Sequence, residues 1–307
     1  MSVSRTRVKL LLVCAILLLA GGCFRRTTAR PAYKPVKFSS LSDYIRGIYK
    51  LSSEAGKSEQ QRTALLSQAP ELAPLVDRVE RDPQDMDARN RIVAEYMSRN
   101  LYWGAYELLT EALANHANNA EIDLNLAVIW DIWGQYDLAL QYGGRAIANG
   151  AATASAYETM GRIHLHLHEF PEAVTWYSRS LQQDRNASVL ANIGYAHLLG
   201  SEWKEARVTL EEALTLDDTL QEAHNNLAMV LSETGDDAGA FDHLLQTGRP
   251  AVAFNNMGVL YLQKKMLREA EDAFQQSLLL EPDYVMARRN LDSVHASAPP
   301  PSIIHLP

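Results

Sequence analysis

Cysteine is almost missing from this chain: Cys14 and Cys23 are the two in 307 residues. Beyond Cys23 there is no thiol, which excludes a disulfide framework, a thiolate metal site and a cysteine nucleophile from the body. Long apolar runs are missing too. The run from Leu10 to Ala20 has 11 residues, well short of the ~20 a spanning helix needs. No G-x-S-x-G elbow, H-E-x-x-H pair or phosphate-cradling glycine loop occurs, so no catalytic set presents itself and no cofactor is expected. Positive charge is scarce in the body. The chain has 29 Lys+Arg against 37 Asp+Glu, and eight of the cations lie before residue 41, so residues 41–307 carry −16. Nucleic acid is thereby an unsuitable partner, because neutralising phosphates requires a basic stripe. The sequence reads as that of a non-enzyme without a small-molecule substrate.

What the chain does have is a beat. Ala105, Ala139, Ala173, Ala206, Ala240 and Ala270 recur at intervals of 34, 34, 33, 34 and 30 residues. A period near 34 carried by helical segments marks stacked helix-turn-helix units. In the last unit, counted from Ala251, large apolar residues fall at places 4, 7, 11 and 24 (Phe254, Met257, Tyr261, Phe274). Small residues fall at places 8, 20 and 27 (Gly258, Ala270, Ser277), and Pro282 closes the unit at place 32. Two antiparallel helices in close contact need small residues at their crossing and bulky ones beside it, and proline stops the second helix.

This pattern resembles the tetratricopeptide repeat. Five further units fit it, carrying Ile92, Tyr96 and Ala112; Leu126, Ala127 and Trp130; Tyr157, Met160 and Gly161; Ile193, Gly194 and Leu210; and Leu227, Ala228 and Leu231. The expected fold is all-α, a solenoid of about six units starting near residues 86, 120, 154, 187, 221 and 251. The fifth unit breaks at Gly248-Arg249-Pro250, so its second helix should be clipped. Residues 41–85 fit the repeat poorly. Leu72, Leu75, Val76 and Val79 share one helical face there, as an N-terminal cap would. Residues 285–296 form a closing helix of the 86–296 array, and 297–307, with Pro299-Pro300-Pro301, a tail.

Arg5, Arg7 and Lys9 precede the apolar run, and Gly21-Gly22-Cys23 follows it. A basic start, a short apolar stretch and small residues before a cut describe a secretory signal over 1–22. With cysteine directly after the small residues it resembles a bacterial lipoprotein signal, which implies lipidation of Cys23 with acyl chains such as palmitate. More than one chain is needed for stable anchoring. Phe24, not aspartate, follows Cys23; by the enteric sorting rule this favours the outer membrane, facing the periplasm. That rule varies between bacterial groups, which leaves the inner membrane open. Residues 23–40, with Arg25, Arg26, Arg30, Lys34 and Lys37, read as a tether beside an anionic lipid surface, or as a solvated linker.

His164, His166 and His168 are the one cluster with metal-ligand character. His164 and His168 are a turn apart, but His164 holds packing place 11, His168 falls in a turn, and the nearby carboxylate Glu169 should point elsewhere, so no metal is expected. Asn125, Asn192, Asn226 and Asn256 all hold place 6, where an amide could grip a peptide backbone or serve the repeat itself.

Partner specificity should lie on the concave face made by first helices: Arg162, Leu165, Tyr195, Leu198, Leu199, Asn225, Met229, Val259 and Leu262. An apolar lining with scattered polar groups suits an amphipathic helix or extended peptide; the same leucines could instead pack on neighbouring repeats. Lysine is absent from place 5, so the face departs from the type that clamps a C-terminal carboxylate. A repeat lipoprotein of this make-up is similar to the pilotins of type IV pilus secretins and to the lipoprotein of the tight-adherence (Flp) pilus. The resemblance implies an envelope protein partner, a secretin subunit for a pilotin, and a role in pilus or secretion-system assembly. The alternative is an adaptor that docks cell-wall hydrolases or periplasmic proteases.

Overall fold

The structure is a computed structural model that describes residues 57–115 and 118–297. The expected signal peptide, Cys23, the expected tether, the first part of the expected cap and the expected tail beyond Ser297 lie outside the described residues. All regular structure among the described residues is helical, in two compact units divided between Gly200 and Ser201.

The first unit begins with α1 (Lys57–Gln68), a 3-10 turn (Pro70–Leu72) and α2 (Ala73–Arg81). Seven helices follow: α3 (Met86–Ser98), α4 (Tyr102–Asn115), α5 (Ala120–Ile132), α6 (Tyr136–Ala148), α7 (Ala154–His166), α8 (Phe170–Gln183) and α9 (Ala187–Leu199). Leu72, Leu75 and Val79 are buried against the repeats, with Val76 half-buried beside them. The second unit holds α10 (Trp203–Leu216), α11 (Gln221–Glu233), α12 (Asp237–Gln246), α13 (Pro250–Gln263), α14 (Leu267–Leu280) and α15 (Val285–Ser297). Within the units α5 packs on α6, α7 on α8, α11 on α12 and α13 on α14.

In the first unit the first helices start at a side-chain cap, whereas α11 and α13 of the second unit start without one. Asn119 accepts from the N–H groups of Glu121 and Ile122, each at 3.0 Å, and Asn186 accepts from Ser188 at 2.8 Å; Thr153 caps α7 through Ala156. Each satisfies donors the helix cannot. The beat alanines then sit fully buried at the crossings. At place 8 the approach is closer still. A Cβ added to Gly161 would lie 2.6 Å from the Tyr177 ring, and one on Gly258 would lie 2.4 Å from that of Phe274. Apolar packing of these buried aromatic knobs over small residues stabilises each helix pair.

A device absent from the sequence reading closes each pair. Asn100, Gly134, His168, Ser201, Gly235 and Lys265 all have positive φ, and all six hold place 15. The backbone bonds in the same way at Asn100, Gly134, His168, Gly235 and Lys265. The next residue's N–H reaches the carbonyl five positions earlier, as in Gln135 to Trp130 at 2.8 Å and Glu169 to His164 at 2.9 Å. This is a left-handed stop of the Schellman kind, filled by glycine only twice. Helix α12 has 10 residues where the other second helices have 13 or 14, and its end precedes Gly248-Arg249-Pro250. No helix among the described residues is long and apolar enough to cross a membrane.

Candidate partner-binding face

The residues expected to bind a partner fall in both units, and each set is taken in its own. In the first, Arg162 and Leu165 lie on α7. Arg162 is not a free cation. Its Nε donates to Asp131 of α5 at 2.7 Å, and His166 Nδ1 meets the other Asp131 oxygen, also at 2.7 Å. The Asp131 side chain is 1% exposed. Burial alone would raise its carboxyl pKa, but the bonds from His166 and Arg162 outweigh it and hold the group below the ordinary carboxylate value. Tyr136 lies against His166 with ring centroids 5.5 Å apart. The sequence signal for this cluster was available: an aspartate inside the aromatic stretch Ile129-Trp130-Asp131-Ile132-Trp133, with its cation one turn short of a repeat away.

Leu165 packs against the cluster of Tyr177, Val189 and Ile193. Leu198 is buried at 6% exposure, whereas Leu199 and Tyr195 are half-buried. Burial pushes the Tyr195 phenol up. The accessible part of this face is therefore Tyr195, Leu199 and part of the Arg162 side chain, and Leu198 supplies packing.

In the second unit, Asn225 and Met229 on α11 are half-buried. Asn225 Oδ1 is enclosed and meets no donor among the described residues. Val259 and Leu262 on α13 lean on the cluster of Ala270, Phe274 and Val294, so part of their surface serves repeat packing. Lys264 ties α13 to α11: its Nζ donates to the Ser232 carbonyl at 2.9 Å and pairs with Asp237 at 3.0 Å. Nearer the start of α13 runs a chain of amides: Asn255 Nδ2 donates to Asn256, and Asn290 Nδ2 of α15 donates to Asn255 Oδ1 at 2.9 Å. Of the place-6 asparagines, Asn256 is thus tied to its neighbour. Asn225 and Asn255 hold place 5, one position before it in the repeat.

A groove of about 420 Å³ opens between α12, α13 and α14. Phe241, Phe254 and Met257 line it, the two phenyl centroids 4.7 Å apart, with Tyr261, Glu269 and Asp272 at hand. It lies on the second-helix side of α13, away from the expected face, and it opens beside the clipped helix α12.

The histidine cluster corrects one expectation. Glu169 does not point elsewhere: its carboxylate bonds His164 Nδ1 at 2.8 Å. The cause is His168, whose φ of 61° reverses the chain and brings Glu169 under the last turn of α7. His164 also stacks on Trp176, with planes 14° apart. His164, His166 and His168 thus face Glu169, Asp131 and the edge of Phe170 respectively, and share no common point. Among the described residues no group of three or more potential ligands could hold a metal ion.

Comparison with known proteins agrees with this architecture. The tetratricopeptide repeat family model matches residues 251–284. TPR repeat-containing protein YpiA of Bacillus subtilis (strain 168) is 23% identical over 241 residues, 73% of this chain and 54% of that protein; the chain spans about half the length of this curated relative. Among solved structures, PilW, a widely conserved type IV pilus biogenesis factor, superposes with a TM-score of 0.58 at 17% identity over 69% of this chain and 99% of PilW. PilF of Pseudomonas aeruginosa gives 0.53 at 19% identity, over 69% of this chain and 97% of PilF. The fold is the all-helical tetratricopeptide-repeat fold.

Proposed function

We propose that this chain is a membrane-anchored periplasmic scaffold that captures a segment of an envelope protein and serves pilus or secretion-system assembly as a pilotin does, with a secretin subunit as the partner. The fold supports a protein-interaction scaffold and no catalytic family. One observation carries the binding reading: Asn225 and Met229 stand one turn apart on α11, both half-buried, in a unit where Asn255, Asn256 and Asn290 are linked amides. An extended backbone supplies N–H groups at regular spacing, and its side chains alternate to opposite sides. An amide acceptor next to a flexible thioether suits both. The anchor reading rests on the run from Arg5 to Cys23. The assembly reading draws on the fold shared with PilW, almost all of whose length is covered.

The test is capture from detergent-solubilised envelopes with Asn225→Ala/Met229→Ala against wild type, read by mass spectrometry. Anchors of this kind contribute over ~1 kcal/mol each, so the pair should weaken capture of a secretin about tenfold or more with helicity unchanged. An undiminished secretin would place the binding elsewhere. Recovery of a cell-wall hydrolase or protease in its place would make the chain an adaptor and refute the pilotin role.

A further inference from the structure

His224 and His243 form a contact that neither the repeat nor partner binding calls for. His224, on α11, is buried at 7% exposure, and His243 lies on α12, the shortest helix of the second unit. Their Nδ1 atoms are 2.9 Å apart. The ring centroids are 5.1 Å apart, close to that separation plus two ring radii, so the nitrogens meet head-on. That geometry fits one proton between them and leaves no space for a metal ion, which needs ~2.0–2.1 Å from each nitrogen.

The tautomers follow from the third partner. His224 Nε2 lies 2.9 Å from the Asp218 carbonyl oxygen, which can only accept, so Nε2 carries the hydrogen. Neutral His224 then offers a bare Nδ1. The hydrogen between the rings must therefore belong to His243 Nδ1, and the lone pair of His243 sits on its Nε2. One further proton can bind at that Nε2 with both bonds intact. A second would have to bind His224 Nδ1, where it would face the N–H of His243 with no acceptor.

We infer that the His224–His243 pair is a proton-sensitive latch between α11 and α12, which a first added proton weakens with both bonds still in place and a second opens. The charged groups facing His243 are Asp242 of α12, and Glu211 and Arg207 of α10. Arg207 and Glu211 are spent on each other at 2.7 Å. Burial, then the neighbouring His224 ring, hold the His243 pKa below 6.5, with Asp242 and Glu211 opposing. A histidine whose closed-state value is depressed stabilises above about 6.5, and that contribution is lost as pH falls from there toward the depressed value. The loss falls on α12 first, because it has the fewest turns to hold it.

Two measurements on the full-length protein test the latch, and neither needs a partner. Long-range 1H–15N spectra at neutral pH should show the Nε2–H tautomer for His224 and the less common Nδ1–H tautomer for His243. Hydrogen exchange, corrected for intrinsic rates, should show α12 amides opening up to about tenfold more per unit of pH lost below 6.5, with α4 unaffected. His243→Gln keeps an N–H donor for His224 and cannot be charged, so it should flatten that slope. An Nε2–H tautomer on His243, or a slope equal in wild type and His243→Gln, overturns the proposal.

Discussion

Two glycines on neighbouring helices should respond oppositely to the same added methyl. Gly161 is buried at place 8 of α7, and a Cβ there would meet three carbons of the Tyr177 ring at 2.6–2.8 Å. Tyr177 is 1% exposed and cannot withdraw. Gly144 is exposed within α6, where an added Cβ meets nothing within 4 Å. Alanine gains ~1 kcal/mol over glycine inside a helix, so Gly144→Ala should stabilise by about 0.5–1 kcal/mol. The same gain at Gly161 is set against ~1–3 kcal/mol of overpacking, so Gly161→Ala should come out neutral to ~2 kcal/mol less stable. The two variants should therefore differ by roughly 1–3 kcal/mol. At a urea slope of ~1–3 kcal/mol/M, helicity melts should put the Gly161→Ala midpoint clearly below that of Gly144→Ala. Equal upward shifts of both midpoints would refute the close crossing of α7 and α8 and the repeat register with it.

Other outcomes follow from single contacts. Asp131→Asn should cost about 1–3 kcal/mol by stripping Arg162 and His166 of a charged acceptor. The wild-type advantage should be complete above the unfolded carboxyl value of 3.8 and shrink as pH falls through the lower folded one, read as paired urea midpoints from pH 7 to pH 3. Lys265, at φ 62°, carries a left-handed penalty of ~1–2 kcal/mol that glycine avoids at some entropic cost; Lys265→Gly should raise the urea midpoint by the equivalent of roughly 0.5–1 kcal/mol, and Lys265→Val should lower it. If the signal is of the lipoprotein type, Cys23→Ala should leave the membrane pellet after carbonate extraction, whereas wild type should remain there.

The repeat was legible because its determinants are local and periodic. Ala173 and Ala206 read as crossing residues because only small side chains fit there. The break at Gly248-Arg249-Pro250 marks the short α12 because proline cannot continue a helix. The positive φ at place 15 was hidden, since four of its six occupants are Asn100, His168, Ser201 and Lys265, none of which announces a left-handed turn as glycine does. Glu169 was misplaced for the same reason: its direction depends on the His168 turn. The candidate face was only partly legible. Helical spacing puts Leu198, Val259 and Leu262 on first helices, but it cannot say how much of each the next repeat covers. The Asp131–Arg162–His166 cluster and the His224–His243 pair join residues 19 to 35 positions apart, separations at which one helix meets the next and sequence periodicity carries no partner information.

Binding through the first-helix face is the central claim, and site-specific photo-crosslinking in intact envelopes addresses it most directly. A photoreactive phenylalanine analogue at Tyr195 samples a first helix of one unit and at Met229 a first helix of the other; the same group at exposed Thr175 of α8 or Gln275 of α14 samples the second helices. Ultraviolet irradiation should yield one discrete crosslinked species of raised mass from Tyr195 and Met229, with the same partner identified by mass spectrometry from both, and none from Thr175 or Gln275. Crosslinks confined to Thr175 and Gln275, with Tyr195 and Met229 silent, would contradict it.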